Sequence, residues 1–286
     1  MSRKPVFAAI VVLVLASLAC KAPDSGNHLK TGPVETQEIY VQSPDDTDIV
    51  RVNLEFGAGE LNIEPGAENA LIDGLATYNV ADLAPEVNVQ GGLVSVSQGN
   101  LKNSPFWNFD GDLKNNWTLR LGSTPIRLEI TAGAYDGNYE LGGLAIERLL
   151  VQDGAADVEL SFDEPNLTEM SLLRYQTGAS QVELRGLANA NFEEMAFQGG
   201  AGDYTLDFSG ELLRDAEVRI DAGISAVRIL VPEGVNVVLR FDGGLSSVDV
   251  NGAWEQTGGR YIQSGSGPTL TIQVDMGAGS LELDNP

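Results

Sequence analysis

Short runs of alternating apolar and polar residues recur along most of the chain, and a glycine lies between successive runs. In one copy of the pattern, Val218 and Ile220 precede Gly223 with polar residues between them. Val227 and Ile229 follow that glycine in the same alternating way. Alternation with a period of two is typical of strands that bury one face. The other glycines that stand in this pattern are Gly57, Gly133, Gly154, Gly178, Gly200, Gly244 and Gly277.

The spacing of these glycines predicts the fold class. Between Gly133 and Gly244 they follow one another at intervals of 21 to 24 residues, and strands repeated in this way are typical of a solenoid whose coils cover one another. We predict an all-β chain, a single-stranded β-helix (β-solenoid) with about 22 residues per coil. A β-sandwich also gives short alternating strands, but it does not explain the recurring glycine. We attribute that glycine to a backbone conformation that other residues adopt at a cost.

The first 20 residues have the pattern of a secretion signal that contains a short apolar helix. Arg3 and Lys4 precede an apolar run at 6–19, which is shorter than the roughly 20 residues of a membrane-spanning helix. Small residues directly before Cys20 resemble a bacterial lipobox, in which the cysteine becomes the lipidated first residue of the mature chain. An ordinary signal peptide whose cleavage site contains a cysteine is the alternative. We predict lipidation at Cys20, which would anchor the chain to the outer face of a bacterial membrane.

Composition divides the rest of the chain into three segments. Residues 21–37 are polar and rich in proline, glycine, serine and threonine, which is typical of a flexible tether. The glycine pattern is irregular over 38–127, so we predict an N-terminal unit there that caps the solenoid and covers its open backbone edge. The regular repeats occupy 128–286.

The charge of the chain restricts its partners. Its 286 residues include 17 lysines and arginines against 41 aspartates and glutamates, which gives a net charge of −24. This field repels phosphate backbones, so we expect no nucleic acid partner. A single histidine and a single cysteine nearly exclude histidine-based catalysis, thiol catalysis and zinc centres.

Several stretches of the sequence resemble a known family. Residues 52–61, 76–80, 85–87, 116–121 and 125–134 together resemble the toast-rack family of bacterial surface proteins. That family is similar to β-helical adhesins and to the C-terminal domain of cell-wall-active antibiotic response proteins. The resemblance implies a single-stranded β-helix in the cell envelope, and it brings no established enzyme activity and no catalytic residues.

A polar residue stands two positions before each of the repeat glycines. In a solenoid these positions stack about 4.8 Å apart, so Gln152, Gln176 and Gln198 would form a ladder of amides. Asp221 would lie beside Asp242, and two neighbouring carboxylates need a compensating partner. A calcium site at these two aspartates is one hypothesis. The alternative, which needs no cofactor, is that backbone N–H groups of the turn compensate both carboxylates.

Aromatic and acidic side chains are concentrated between residues 105 and 117. Aromatic rings can stack on sugars while polar groups bind the hydroxyls, so this segment is the best candidate ligand surface in the sequence. The alternative is that its rings pack a long loop against the solenoid. The candidate residues are Phe106, Trp107, Phe109, Asp110, Asp112 and Trp117.

The sequence favours a lipid-anchored binding, adhesion or structural module of the cell envelope without catalytic activity. Its partners would be the membrane, an envelope glycan or a surface protein. An envelope-stress sensing or regulatory partner is the first alternative, through the resemblance to antibiotic response proteins. A β-helical polysaccharide lyase or hydrolase is the second alternative. Among 41 acids some pair always falls near the separation of glycosidase carboxylates, so the sequence offers no specific evidence for it.

Overall fold

The computed structural model describes residues 29–44, 49–99, 109–110 and 112–286. The predicted signal segment, Cys20 and residues 21–28 of the predicted tether lie outside these residues. In the described part of the chain, no helix has the length and apolar character needed to cross a membrane.

Nearly all regular structure in the described residues is β-strand, so the all-β class is confirmed. Two short 3₁₀ turns at Ala81–Leu83 and Leu187–Ala190 are the exceptions. The strands are β1 Leu29–Lys30, β2 Glu35–Val41, β3 Val50–Pro65, β4 Ile72–Tyr78, β5 Pro85–Gln90, β6 Leu93–Gln98, β7 Phe109–Asp110, β8 Asn115–Leu121, β9 Ile126–Glu140, β10 Ile146–Gln152, β11 Ala155–Ser161, β12 Met170–Arg185, β13 Phe192–Asp207, β14 Ala216–Leu230, β15 Asn236–Val250, β16 Glu255–Thr257, β17 Arg260–Gln263 and β18 Thr269–Asp284.

The long strands form a parallel stack of rungs, which makes the architecture β-solenoid-like. The rungs lie in the order β3, β9, β10 with β11, β12, β13, β14, β18 and β15. Each rung has a first arm before its repeat glycine and a second arm after it. The register aligns the repeat positions from rung to rung; Gln176, for example, pairs with Gln198, which pairs with Asp221.

The two arms of a rung face each other across one hydrophobic core. Phe197 lies in the first arm of β13 and Tyr204 in its second arm, yet their ring centroids are only 5.0 Å apart. A straight strand would separate these residues by about 23 Å, so the strand bends sharply between them. The inner residues of both arms belong to the same buried cluster. The two outer faces therefore point in different directions.

The repeat glycine is required by close packing between rungs, and our sequence-based explanation of it was wrong. A Cβ on Gly223 would overlap the carbonyl oxygen of Gly200, and a Cβ on Gly200 would overlap that of Gly178. None of the repeat glycines has a positive φ. Left-handed backbone occurs instead two residues later in three rungs, as at Gly202 with φ 153°.

The order of the rungs departs from chain order at the C-terminal end. β14 pairs with β18, and β15 lies beyond β18. A constant coil of about 22 residues therefore does not apply to these three rungs. β17 and then β16 continue the sheet from β15 in antiparallel pairing.

The N-terminal end of the stack is extended by five shorter strands, of which β8 and β6 pair in parallel with β3 and the other three are added by antiparallel pairing. β8, β4 and β2 continue the sheet from the second arm of β3, and β6 with β5 continues it from the first arm. β2 begins at Glu35, inside the segment assigned to the tether. The boundary placed between 127 and 128 falls within β9, so one continuous sheet spans it.

Candidate functional site

The stack presents two flat outer faces, one on each arm. We define the first-arm face as the residues six and four positions before the repeat glycine, and the second-arm face as those three and five positions after it. None of these residues is buried. The first-arm face comprises Arg51, Asn53, Arg127, Glu129, Arg148, Leu150, Leu172, Arg174, Glu194, Ala196, Glu217, Arg219, Thr271, Gln273, Val238 and Arg240. The second-arm face comprises Glu60, Asn62, Asp136, Asn138, Asp157, Glu159, Gln181, Glu183, Asp203, Thr205, Ala226, Arg228, Ser280, Glu282, Ser247 and Asp249.

The two faces differ in charge. The first-arm face carries six arginines and three glutamates, whereas the second-arm face carries one arginine and eight acids. Three of the arginines, Arg51, Arg127 and Arg148, occupy the same position on consecutive rungs. Neighbouring strands lie about 4.8 Å apart, so like charges are placed side by side. Such pairs destabilise a sheet unless a partner compensates them.

Ion pairing is incomplete on the first-arm face. Arg127 lies 3.5 Å from Glu147, and Arg219 lies 3.0 Å from Asp221. Within the described residues, Arg51, Arg148, Arg174, Arg240 and the neighbouring Arg260 have no carboxylate within ion-pair distance.

A groove crosses the centre of the first-arm face, with a volume of about 410 Å³. Arg174 on β12 and Arg219 on β14 border it, and the small side chain of Ala196 on the intervening β13 leaves the space between them. Glu194 on β13 and Glu217 on β14 also line the groove, two residues before Ala196 and Arg219. The remaining lining residues are Leu172, Met195, Val218, Thr271 and Gln273.

The register aligns Gln152, Gln176 and Gln198 as predicted, and the amide ladder is formed between the last two, but its acidic end differs from the expectation. Gln176 donates a side-chain hydrogen bond to Gln198. Asp221 is not adjacent to Asp242, because the out-of-order strand β18 inserts Asp275 between them. The guanidinium of Arg219 donates to the carboxylates of both Asp221 and Asp275, at 3.0 and 3.3 Å. These carboxylates raise the pKa of Arg219.

For Asp221 the compensating partner among the described residues is therefore an arginine, and neither a calcium ion nor backbone N–H groups of the turn. In the described ranges, no group of three or more histidine, cysteine, aspartate or glutamate side chains could hold a metal ion.

The predicted aromatic surface is only partly within the described residues. Phe106 and Trp107 lie outside them, while Phe109 and Asp110 form β7, which pairs in parallel with β1. The exposed Asp112 accepts a hydrogen bond on its carbonyl from the side chain of Asn79 at 2.8 Å. Trp117 must be removed from the candidate surface, because it is completely buried and its ring meets that of Phe56 edge-on at 5.2 Å.

A buried polar cluster joins the two arms in the core. Tyr175, from the first arm of β12, donates a 2.7 Å hydrogen bond to Asp153. Tyr135, from the second arm of β9, lies 3.4 Å from the same carboxyl oxygen and accepts a 2.9 Å hydrogen bond from Tyr139. Burial is the main cause that raises the pKa values of all three tyrosines above their usual value.

Comparison with solved structures finds several of low sequence identity. A provisionally named cell adhesion protein from Clostridium sporogenes shares 19% identity, with 89% of this chain and 100% of that chain covered and a TM-score of 0.48. A provisionally named lipid binding protein from Parabacteroides distasonis shares 12% identity over 90% of this chain and 99% of that one, with a TM-score of 0.43. A provisionally named adhesin from Bacteroides fragilis shares 11% identity over 89% and 99%, with a TM-score of 0.33.

No curated protein matches the chain. Residues 30–172, which are half of the chain, match the family described as the N-terminal domain of toast_rack, DUF2154. This match starts at β1 and ends in the first arm of β12. It therefore includes the rungs that carry Arg51, Arg127 and Arg148, and the chain belongs to the toast-rack family.

Proposed function

We propose that the protein is a lipid-anchored, non-catalytic binding module of the cell envelope and that the first-arm face is its ligand surface. The observation that carries this proposal is that four of the six exposed arginines along one flat face have no carboxylate partner among the described residues. Eight rungs spaced about 4.8 Å apart give this face a length of about 34 Å along the stack. A surface of this length suits an extended ligand better than a small substrate.

The interior supports a binding function more than a catalytic one. The space between the arms is filled by side chains such as Phe197 and Tyr204, whose rings are in contact. Asp153, the buried acid of the tyrosine cluster, is only 8% exposed. A substrate would have to displace packed rings to reach it.

Two assays on the full chain in non-ionic detergent test the binding function. Saturable binding to an envelope glycan, lost when first-arm arginines are substituted, would support the proposal. Turnover of any polysaccharide by the wild-type chain would contradict it, and so would the absence of binding to every envelope glycan tested.

The anchor at Cys20 has its own test. Cells that express the full chain and are fed a labelled fatty acid should label this protein, whereas the Cys20→Ser variant should remain unlabelled and leave the membrane fraction. Equal labelling of the two proteins would contradict lipidation at this residue.

A second candidate function, a regulatory contact with another protein, is favoured by the open end of the stack. In the described chain, the second arm of β15 pairs on one side only, with β18. Leu245 on this arm is 86% exposed, and Ile224 at the equivalent position of β14 is 73% exposed. An unpaired strand edge beside exposed apolar side chains can accept a strand from a partner.

Photo-crosslinking in native cells tests this second candidate. A crosslinking residue at position 247, on the open edge, should give a discrete adduct. The same crosslinking residue at position 205, on β13, whose two edges are both paired, should give no adduct. Identical crosslinking patterns at the two positions would contradict a specific edge contact.

A further inference from the structure

The unpaired arginines of the first-arm face share one chemistry, and we infer that they bind the carboxylates of a linear acidic polysaccharide. This inference rests on the proposed binding function and names the class of its ligand. The residues concerned are Arg51, Arg148, Arg174 and Arg240 on the face. Arg260 joins them, because it lies on the neighbouring strand β17 directly opposite Arg240 in the strand register.

The lack of partners for these arginines is informative because acids are abundant. The chain has 41 acids for 17 basic residues, so an arginine placed at random on its surface would usually meet a carboxylate. All described arginines away from this face are paired, as in the 2.6 Å contact of Arg120 with Asp73 and the 2.5 Å contact of Arg214 with Glu169. Among the described residues, Arg51, Arg148, Arg174 and Arg240 have no such partner and are free to pair with a ligand.

The geometry of the face suits a linear polymer that carries carboxylates. The arginine row follows the stacking axis from Arg51 through Arg148, then continues on the neighbouring row at Arg174, Arg219 and Arg240. Guanidinium groups bind carboxylates in bidentate fashion, which fixes both distance and orientation.

Apolar side chains between the arginines complete the match. Leu150 and Leu172 are half-buried on the same face, beside Arg148 and Arg174. Sugar rings present apolar C–H faces as well as charged groups, and binding sites for such ligands combine apolar contacts with a few placed polar groups. The 410 Å³ groove over Ala196 leaves room for a ring between Arg174 and Arg219.

The net charge of −24 does not prevent this binding at physiological salt. The Debye length there is about 8 Å, and packed sheets lie about 10 Å apart. The acids of the second-arm face are therefore largely screened from a ligand on the first-arm face. At low salt the whole acidic molecule repels the polymer, and at high salt the local attraction is screened. Binding should therefore be strongest at an intermediate ionic strength near 0.1–0.2 M.

The test measures binding of oligogalacturonate to the full chain in non-ionic detergent. The double variant Arg148→Gln, Arg174→Gln should bind about tenfold more weakly. Arg185→Gln is the matched control, because Arg185 is exposed but pairs with Glu159 and Glu183 on the second arm; its binding should equal that of the wild type. Glu217→Gln removes a negative charge from the groove and should strengthen binding a few-fold.

The outcomes separate this inference from the proposed function. Equal binding by the double variant and the Arg185→Gln control, or binding that does not weaken in 1 M salt, would overturn the inference. Binding to a neutral glycan instead of oligogalacturonate would overturn the inference and leave the binding function intact. The Cys20→Ser variant is also mixed with vesicles of phosphatidylglycerol and phosphatidylcholine. Arginine-dependent binding to these vesicles, without oligogalacturonate binding, would assign the face to a lipid surface and refute the inference.

Discussion

The two outer faces of the stack are built by the same strands, on either side of the repeat glycines. They differ in whether the like charges stacked along them have partners of opposite charge. Next to the second-arm face, Arg185 lies two residues beyond Glu183 on β12 and pairs with two acids of that face, Glu159 and Glu183. Arg228 likewise pairs with Glu282 and Asp284. On the first-arm face, Arg51 and Arg148 flank Arg127, and among the described residues only Arg127 of the three has a carboxylate partner.

This difference separates the residues that hold the fold from the outward residues that core packing does not constrain. The inward residues of both arms pack into one hydrophobic core. The repeat glycine of each rung packs against the backbone of the adjacent rung. The outward residues face solvent, so packing does not decide their charge. A row of like charges that costs stability and lacks internal compensation is the kind of local inconsistency expected at a functional surface.

The largest effect should come from disturbing the close packing between rungs at a repeat glycine. In Gly223→Ala the new methyl group would overlap the carbonyl oxygen of Gly200, and we expect a loss of about 3 kcal/mol in the free energy of unfolding. Urea unfolding measures this loss. The control is Gly234→Ala, at a turn with φ 85° and no atom within 4 Å of the added group, which should cost only about 1 kcal/mol. Equal losses would show that backbone conformation, not rung packing, selects the repeat glycine.

An intermediate effect should come from the tyrosine cluster that joins the arms. Tyr175→Phe removes the 2.7 Å hydrogen bond to Asp153 and should cost about 1.5–3 kcal/mol at pH 7. The pKa of Tyr175 is raised in the folded protein, so above pH 10 the unfolded chain loses a proton that the folded chain keeps. Stability from this residue is therefore complete below about pH 10 and falls above it, by about 1.4 kcal/mol per pH unit.

Urea unfolding between pH 9 and 11 checks the tyrosine prediction. The decline of stability with pH should be shallower in Tyr175→Phe than in the wild type. Tyr40→Phe is the control, because Tyr40 is 62% exposed, and its profile should match that of the wild type. A wild-type stability that stays constant to pH 11 would contradict the role assigned to the buried cluster.

The period-two pattern was sufficient to predict the strands and their inner faces. Val218, Ile220, Val227 and Ile229 are all buried, as the alternation requires. The same pattern could have placed Trp117 correctly, because it alternates with Asn116 and other exposed polar residues in β8. The position of a residue in the alternation of its strand therefore predicted its burial better than the aromatic and acidic composition of the segment did.

Features that depend on contacts between rungs were harder to predict. The insertion of β18 between β14 and β15 joins segments far apart in sequence, so spacing along the chain could not reveal that Asp275 separates Asp221 from Asp242. The arginine row was visible only once each repeat was aligned on its glycine and the position six residues earlier was compared.

The smallest expected effects are changes of opposite sign in the free energy of unfolding when one arginine is substituted on each arm. They are the sharpest test of the comparison between the two faces. Arg185→Gln leaves Glu159 and Glu183 on adjacent rungs without their shared cation, so the free energy of unfolding should fall by about 0.5–1 kcal/mol. Arg148→Gln removes a like charge beside Arg127, so stability should rise by a few tenths of a kcal/mol. Both differences should shrink in 1 M salt, where exposed charges are screened. If Arg148→Gln also destabilised the fold, the first-arm arginines would be structural, and their lack of partners would lose its functional meaning.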